Sequence, residues 1–67
     1  SDDLRAYNTV GTALMMQGRF EDALPWLQKA VENNTASAQE NIDLINAELG
    51  YEARKKAEIE EYLKKFE

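Results

Sequence analysis

The chain has 67 residues, and its 13 acidic and eight basic side chains give a net charge of −5. This balance excludes a nucleic-acid surface, which needs clustered Lys and Arg. The apolar runs are too short for the roughly 18 residues of a membrane span. Without cysteine, the chain forms neither disulfides nor thiolate metal sites. These properties predict one small soluble domain with a marginal core, in the cytoplasm or in an extracytoplasmic compartment such as the periplasm, as part of a longer chain.

The first predicted element is a helix over residues 3–17. Its apolar and small residues recur at three- and four-residue spacing, which places them on one helix face. They are Leu4, Tyr7, Val10, Gly11 and Leu14. Asp2 and Asp3 are N-cap candidates at the positive end of the helix dipole. Gly18 predicts the end of the helix, because glycine adopts a left-handed conformation without steric cost.

The second predicted helix covers residues 21–33. Its buried stripe is Ala23, Leu24, Leu27, Ala30 and Val31. Pro25 lies about one turn into the helix, where it removes at most one intrahelical hydrogen bond. The following Asn33, Asn34 and Thr35 predict the end of the helix and a turn.

A third helix is predicted from Ser37, which together with Glu40 has the spacing of a capping box. Gly50 leaves two alternatives. Either it ends the helix and a fourth begins at Tyr51, or it lies inside one long helix that ends near Phe66. The long helix is favoured, because the apolar stripe continues without a phase jump and no Pro, Asn or Asp follows Gly50.

Residues 4–34 resemble the tetratricopeptide repeat, a 34-residue helix–turn–helix unit. In the first helix, Tyr7 matches an aromatic position of the repeat, Val10 and Gly11 match a residue pair ending in glycine, and Leu14 matches a large residue. Gly18 and Phe20 match the interhelix turn. The packing positions of the second helix are matched by Ala23, Leu27 and Ala30. Thr35 stands where the family usually has a proline.

The resemblance implies an all-α fold built on an antiparallel helical hairpin. Gly11 and Ala23 would be small so that the two helices approach closely, and Phe20 would pack the turn onto the hairpin. Residues 36–42 also resemble the start of the related Sel-type repeats. Residues 37–66 would form a capping helix over the exposed side of the second helix, and the upstream side of the first helix would stay open for preceding repeats.

The resemblance also implies a protein or peptide partner, because the family binds its ligands along the concave surface of its first helices. The corresponding positions are Arg5, Asn8, Thr12, Met15 and Met16. The arginine would pair with a carboxylate or phosphate, Asn8 would bond to a peptide backbone, and the methionines would give adaptable apolar contacts. In the alternative, which is favoured for the individual residues, Arg5 and Asn8 are ordinary solvated residues and the methionines pack against the C-terminal segment.

The aromatic residues outside the motif have two interpretations each. Trp26 either anchors an interface or packs one ring face on the fold and leaves its N–H in water. The packing role is favoured. Tyr62, Leu63 and Phe66 either dock back on the hairpin or pair with a second copy. Docking is favoured, because the stretch is shorter than the three to four heptads of a coiled coil.

Catalysis is not expected, because the chain has neither His nor Cys, which supply the commonest general base, nucleophile pairs and metal ligands. No cofactor or metal is predicted either. The sequence therefore predicts a protein–protein interaction or scaffolding module. Two alternatives are the C-terminal cap of a larger repeat protein, and a homo-oligomerisation module held by the open face of the first helix or by the C-terminal segment.

Overall fold

The computed structural model describes the backbone of residues 4–66 and the side chains of residues 6–66. This part of the chain forms three helices: α1 over Leu4–Met16, α2 over Phe20–Glu32 and α3 over Ala36–Lys64. It contains no strand, so the predicted all-α hairpin with a long C-terminal helix is confirmed. The helix boundaries on described residues lie within two residues of the predicted ones. The expected N-cap at Asp2 and Asp3 falls outside the described residues.

The two interhelix turns have the same hydrogen-bond pattern. After α1, Gly18 has φ of 78°, and the Arg19 N–H donates to the Leu14 carbonyl at 2.9 Å. After α2, Asn34 has φ of 65°, and the Thr35 N–H donates to the Ala30 carbonyl at 2.9 Å. Each is a Schellman turn with a left-handed residue just past the helix. The stop at Gly18 is confirmed, and Asn34 has the same role in the second turn.

The start of α3 differs from the prediction. The helix begins at Ala36, and its N-cap residue Thr35 makes no side-chain capping hydrogen bond. The expected capping box of Ser37 and Glu40 is therefore wrong. Ser37 lies inside the first turn, and its hydroxyl accepts a hydrogen bond from Asn8 instead.

The core lies between α2 and the first half of α3. Its fully or nearly fully buried side chains are Ala23, Leu27, Ala30, Ala38, Ile42 and Ile45. Half-buried side chains of α1 pack against this cluster, among them Tyr7, Leu14 and Met15. Small residues bring the helices together: a Cβ on Gly11 would lie 2.6 Å from both Cγ and Cδ2 of Leu27. This close approach is consistent with the prediction that Gly11 is a packing position between the two helices.

Gly50 does not interrupt α3, so the long helix is confirmed. Residues 36–50, called here the proximal half, carry the buried side chains of the helix. Every side chain from residue 51 to 66, called the distal half, is exposed. At about 1.5 Å per residue the 29-residue helix is about 43 Å long, against about 20 Å for each 13-residue helix of the hairpin. The result is an elongated molecule of 58 × 17 × 14 Å.

Candidate interaction surfaces

Two hydrogen bonds join α1 to the proximal half of α3. The Asn8 Nδ2 donates to the Ser37 Oγ at 3.3 Å, and the Asn41 Nδ2 donates to the Thr12 Oγ1 at 3.2 Å. Both partners advance by four residues from one bond to the next, so α1 and α3 run parallel. Two of the five expected partner-binding side chains are thus engaged within the fold.

Asn8 also carries an unsatisfied group. Its Oδ1 is buried and has no hydrogen-bond partner among the described residues. Leaving a buried carbonyl unpaired costs about 1–3 kcal/mol. Because this oxygen is inaccessible, Asn8 has no free acceptor to offer to a peptide backbone.

The two methionines occupy different environments. Met15 is half-buried and packs against the core, whereas Met16 is 80% exposed. The side chains of residues 51–66 are all exposed, so the distal half of α3 buries neither methionine. The side chain of Arg5 falls outside the described side chains. Among the described side chains of α1, Met16 is therefore the large apolar group that remains open to a partner.

Trp26 of α2 belongs to a small aromatic group with Tyr7 of α1. Its ring centroid lies 6.3 Å from that of Tyr7, with the planes inclined by 40°. The Lys29 Nζ lies 5.4 Å from the centroid of the Tyr7 ring. Trp26 keeps 39% of its surface exposed and, with Pro25 and Lys29, lines a shallow cavity of about 240 Å³. This geometry agrees with the favoured role of packing one ring face on the fold.

Half of the exposed large apolar side chains in the described part of the chain lie at the end of α3. Four large side chains recur there at i, i+3, i+4 and i+7, which places them on one helix face. They are Ile59, Tyr62, Leu63 and Phe66, exposed by 58, 61, 56 and 72% respectively, and they are called here the distal patch. The ring centroids of Tyr62 and Phe66 lie 5.1 Å apart, with the planes inclined by 55°. The favoured expectation that this segment docks on the hairpin is wrong.

A second cavity, of about 300 Å³, opens where the α1–α2 turn meets the middle of α3. It is called here the turn cavity. Phe20 and Leu49 give it an apolar floor. Glu21, Asp22 and Glu52 give it an acidic rim, and Arg19 on the same rim pairs with Asp22 at 3.0 Å. Among the described residues, Glu21 and Glu52 have no ion pair, so the rim keeps uncompensated negative charge.

The distal patch was visible in the sequence only as a continuing apolar stripe. The stripe shows which face of α3 is apolar. Whether that face is buried depends on whether another part of the fold lies against it. The turn cavity had no sequence signal, because its walls come from the interhelix turn and from residues 49–52, which are close only in the folded chain.

The described residues contain no group of three or more acidic side chains arranged to hold a metal ion. Within the same part of the chain, no helix is both long and apolar enough to cross a bilayer. Searches of protein-family models, of curated proteins and of solved structures find no match to this chain.

Proposed function

We propose that this chain is a protein-interaction module without catalytic activity, and that it docks through the distal patch. The observation that carries the proposal is the exposure of 56–72% of four large apolar side chains on one helix face. At roughly 200 Å² for a large side chain, the patch exposes about 500 Å² of accessible surface. The largest apolar patch on a monomeric protein is typically about 300–600 Å² and is often functional, so a patch of this size supports a docking role.

The resemblance to the tetratricopeptide repeat supports an interaction role rather than catalysis. The approach of α1 and α2 at Gly11 and Leu27 is the kind of contact that the repeat's small positions allow. The absence of His and Cys from the whole sequence supports the non-catalytic part of the proposal.

The first-helix face is the rival docking surface. Asn8 and Thr12 form hydrogen bonds to α3, so a peptide there would compete with Ser37 and Asn41 for their polar groups. Met15 packs against the core, which leaves Met16 as an apolar contact. The distal patch is favoured because its side chains have no competing contacts with the hairpin.

A purely structural cap is the second candidate, and the cover that proximal α3 gives to α2 favours it. Terminal caps of repeat proteins, however, present a polar outer face to solvent. The distal half presents Ile59, Leu63 and Phe66 instead. This difference favours docking over capping.

The proposal is tested by amide chemical-shift mapping of the full chain against a library of helical and extended peptides. Shifts confined to residues 52–66, lost in Leu63→Asp and kept in Leu44→Asp, are expected. Leu44 is a matched control, because it is 62% exposed on α3 but lies outside the distal patch. Shifts confined to residues 5–16 would establish the first-helix face instead. A chain that responds to no peptide, and that does not self-associate, would leave only the capping role.

A further inference from the structure

The apolar stripe of α3 is covered along only half its length. Ile45, Glu52, Ile59 and Phe66 follow one another at intervals of seven residues, and so do Leu49, Lys56 and Leu63. A seven-residue interval keeps positions on nearly the same face, with a drift of about 20°. The helix α2 packs on this stripe up to Leu49, and its N-terminal residues line the turn cavity beside Glu52. Past that point the stripe has no cover.

We propose that a second copy of this chain covers it, with the two distal halves of α3 packed antiparallel about a twofold axis. This inference rests on the proposed docking role of the distal patch and names the partner. Because α2 and α3 are joined by a short turn, α2 runs antiparallel to α3. The distal helix of the second copy runs in the same direction as α2 and takes the corresponding place along the uncovered half.

The side chains along the stripe select the antiparallel orientation. In the register that sets Leu49 against Phe66 of the second copy, Glu52 faces Leu63 and Lys56 faces Ile59. Each charged residue then lies against an apolar one, and its aliphatic stem can pack while its charged end reaches water. In a parallel pair, Glu52 would face Glu52 and Lys56 would face Lys56, which places like charges opposite each other.

The same register fills the turn cavity. Phe66 of the second copy lies over Leu49, at the mouth of the cavity whose floor is Phe20 and Leu49. Lys64 and Lys65 of that copy arrive with it, next to the uncompensated carboxylates of Glu21 and Glu52. Twofold symmetry applies the same contact at the other end, because the contact is isologous. In this one register, Phe66 of each copy therefore fills the turn cavity of the other.

The charge distribution also fits self-pairing of the distal halves. Residues 1–50 carry eight acidic and three basic side chains, whereas residues 51–67 carry five of each. The whole net charge of −5 thus lies in residues 1–50. Antiparallel packing joins the two neutral segments and places the acidic parts at opposite ends of the dimer, where their repulsion is screened by salt.

The area is sufficient for a specific dimer. In this register each distal patch of about 500 Å² packs on residues 49–56 of the other copy, so the two patches together contribute about 1,000 Å², which is the lower bound for a specific interface. The paired stripe from Leu49 to Phe66 is shorter than three heptads, so it would be weak as an isolated coiled coil. The contact of Phe66 with the turn cavity adds burial at each end.

Sedimentation velocity of the full chain over a concentration series tests the inference. A concentration-dependent dimer is expected. Leu63→Asp or Phe66→Asp should raise its dissociation constant more than roughly tenfold, because each buries an uncompensated charge twice per dimer. Leu44→Asp should leave the constant unchanged. Circular dichroism in dilute solution, where the parent chain is also dissociated, checks that each variant keeps the helicity of the parent chain.

Orientation is tested with introduced cysteines, since the chain has none of its own. Under copper–phenanthroline and oxygen, a mixture of Glu52→Cys and Leu63→Cys chains should form the mixed disulfide. Leu63→Cys alone should crosslink little, because its two copies lie about 16 Å apart along the axis in this register. Efficient crosslinking of Leu63→Cys alone would mean a parallel pair and overturn the inference.

A chain that sediments as a monomer at every concentration would overturn the inference. So would a dimer that survives both Leu63→Asp and Phe66→Asp. A monomer would remove the second copy as the occupant of the distal patch but would leave docking to another protein open, and the peptide mapping of residues 52–66 tests that separately.

Discussion

At the scale of single residues, the closest interhelix contact is that of Gly11 with Leu27. Leu27 is fully buried, and an added Cβ at Gly11 would lie 2.6 Å from two of its side-chain atoms and 3.2 Å from its backbone nitrogen. Atoms in a packed core do not approach so closely. Glycine here is thus required by the distance between α1 and α2, and not by its backbone conformation, which is helical.

We predict that Gly11→Ala lowers the free energy of unfolding by about 1–2 kcal/mol. Overpacking a core costs about 1–3 kcal/mol, and the better helix propensity of alanine offsets up to about 1 kcal/mol of that. Urea unfolding followed by circular dichroism measures the change. An unchanged or raised unfolding free energy would show that α1 and α2 can separate without loss.

At the scale of elements, the decisive feature is the continuity of α3 through Gly50. A Cβ at this position meets only the end of the Arg54 side chain, at 3.7 Å, which is an ordinary contact. Glycine is therefore not needed there for space. It weakens the helix, because it loses more backbone freedom on folding than alanine does.

We predict that Gly50→Ala raises helicity and stabilises the fold by about 0.5–1 kcal/mol. Far-ultraviolet circular dichroism and urea unfolding measure both quantities. The matched control is Gly18→Ala, which should destabilise by about 1–2 kcal/mol, because Gly18 has φ of 78° in the turn after α1. Destabilisation by Gly50→Ala would contradict a continuous α3.

At the scale of the whole molecule, the burial of side chains ends at about the middle of α3, although the helix continues to Lys64. The proximal half packs against α2, and every side chain of the distal half is exposed. A projecting helix of this length has little intrinsic stability in water, because isolated helices shorter than about 12–15 residues are marginal. Its stability in solution should therefore depend on what covers it.

We predict that amide hydrogen exchange of the full chain depends on concentration only in the distal half. In dilute solution, amides of residues 53–66 should exchange close to the unprotected rate, while those near Leu27 and Ile45 are protected by the buried core. At high concentration, self-association should slow exchange in residues 53–66. Uniform protection along α3 in dilute solution would contradict this division.

Much of the fold followed from the sequence, because its signals are local. The three- and four-residue spacing of apolar side chains defined the helices and their buried faces, and Gly18 and Asn34 marked the turns. The predicted capping box of Ser37 and Glu40 is wrong because it also rests on a local signal. In the folded chain the Ser37 hydroxyl accepts a hydrogen bond from Asn8, which lies 29 residues away in sequence.

The sequence by itself determined the three helices, the antiparallel hairpin and the small residues between α1 and α2. Only the tertiary structure decided which predicted surface is free. In the folded chain, Asn8 and Thr12 form hydrogen bonds with α3, and the distal patch remains uncovered. The physical reason is length: because Gly50 remains helical, α3 cannot fold back, and a helix of about 43 Å extends past a hairpin of about 20 Å. Periodicity identifies an apolar face, but only the tertiary structure shows whether another surface reaches it.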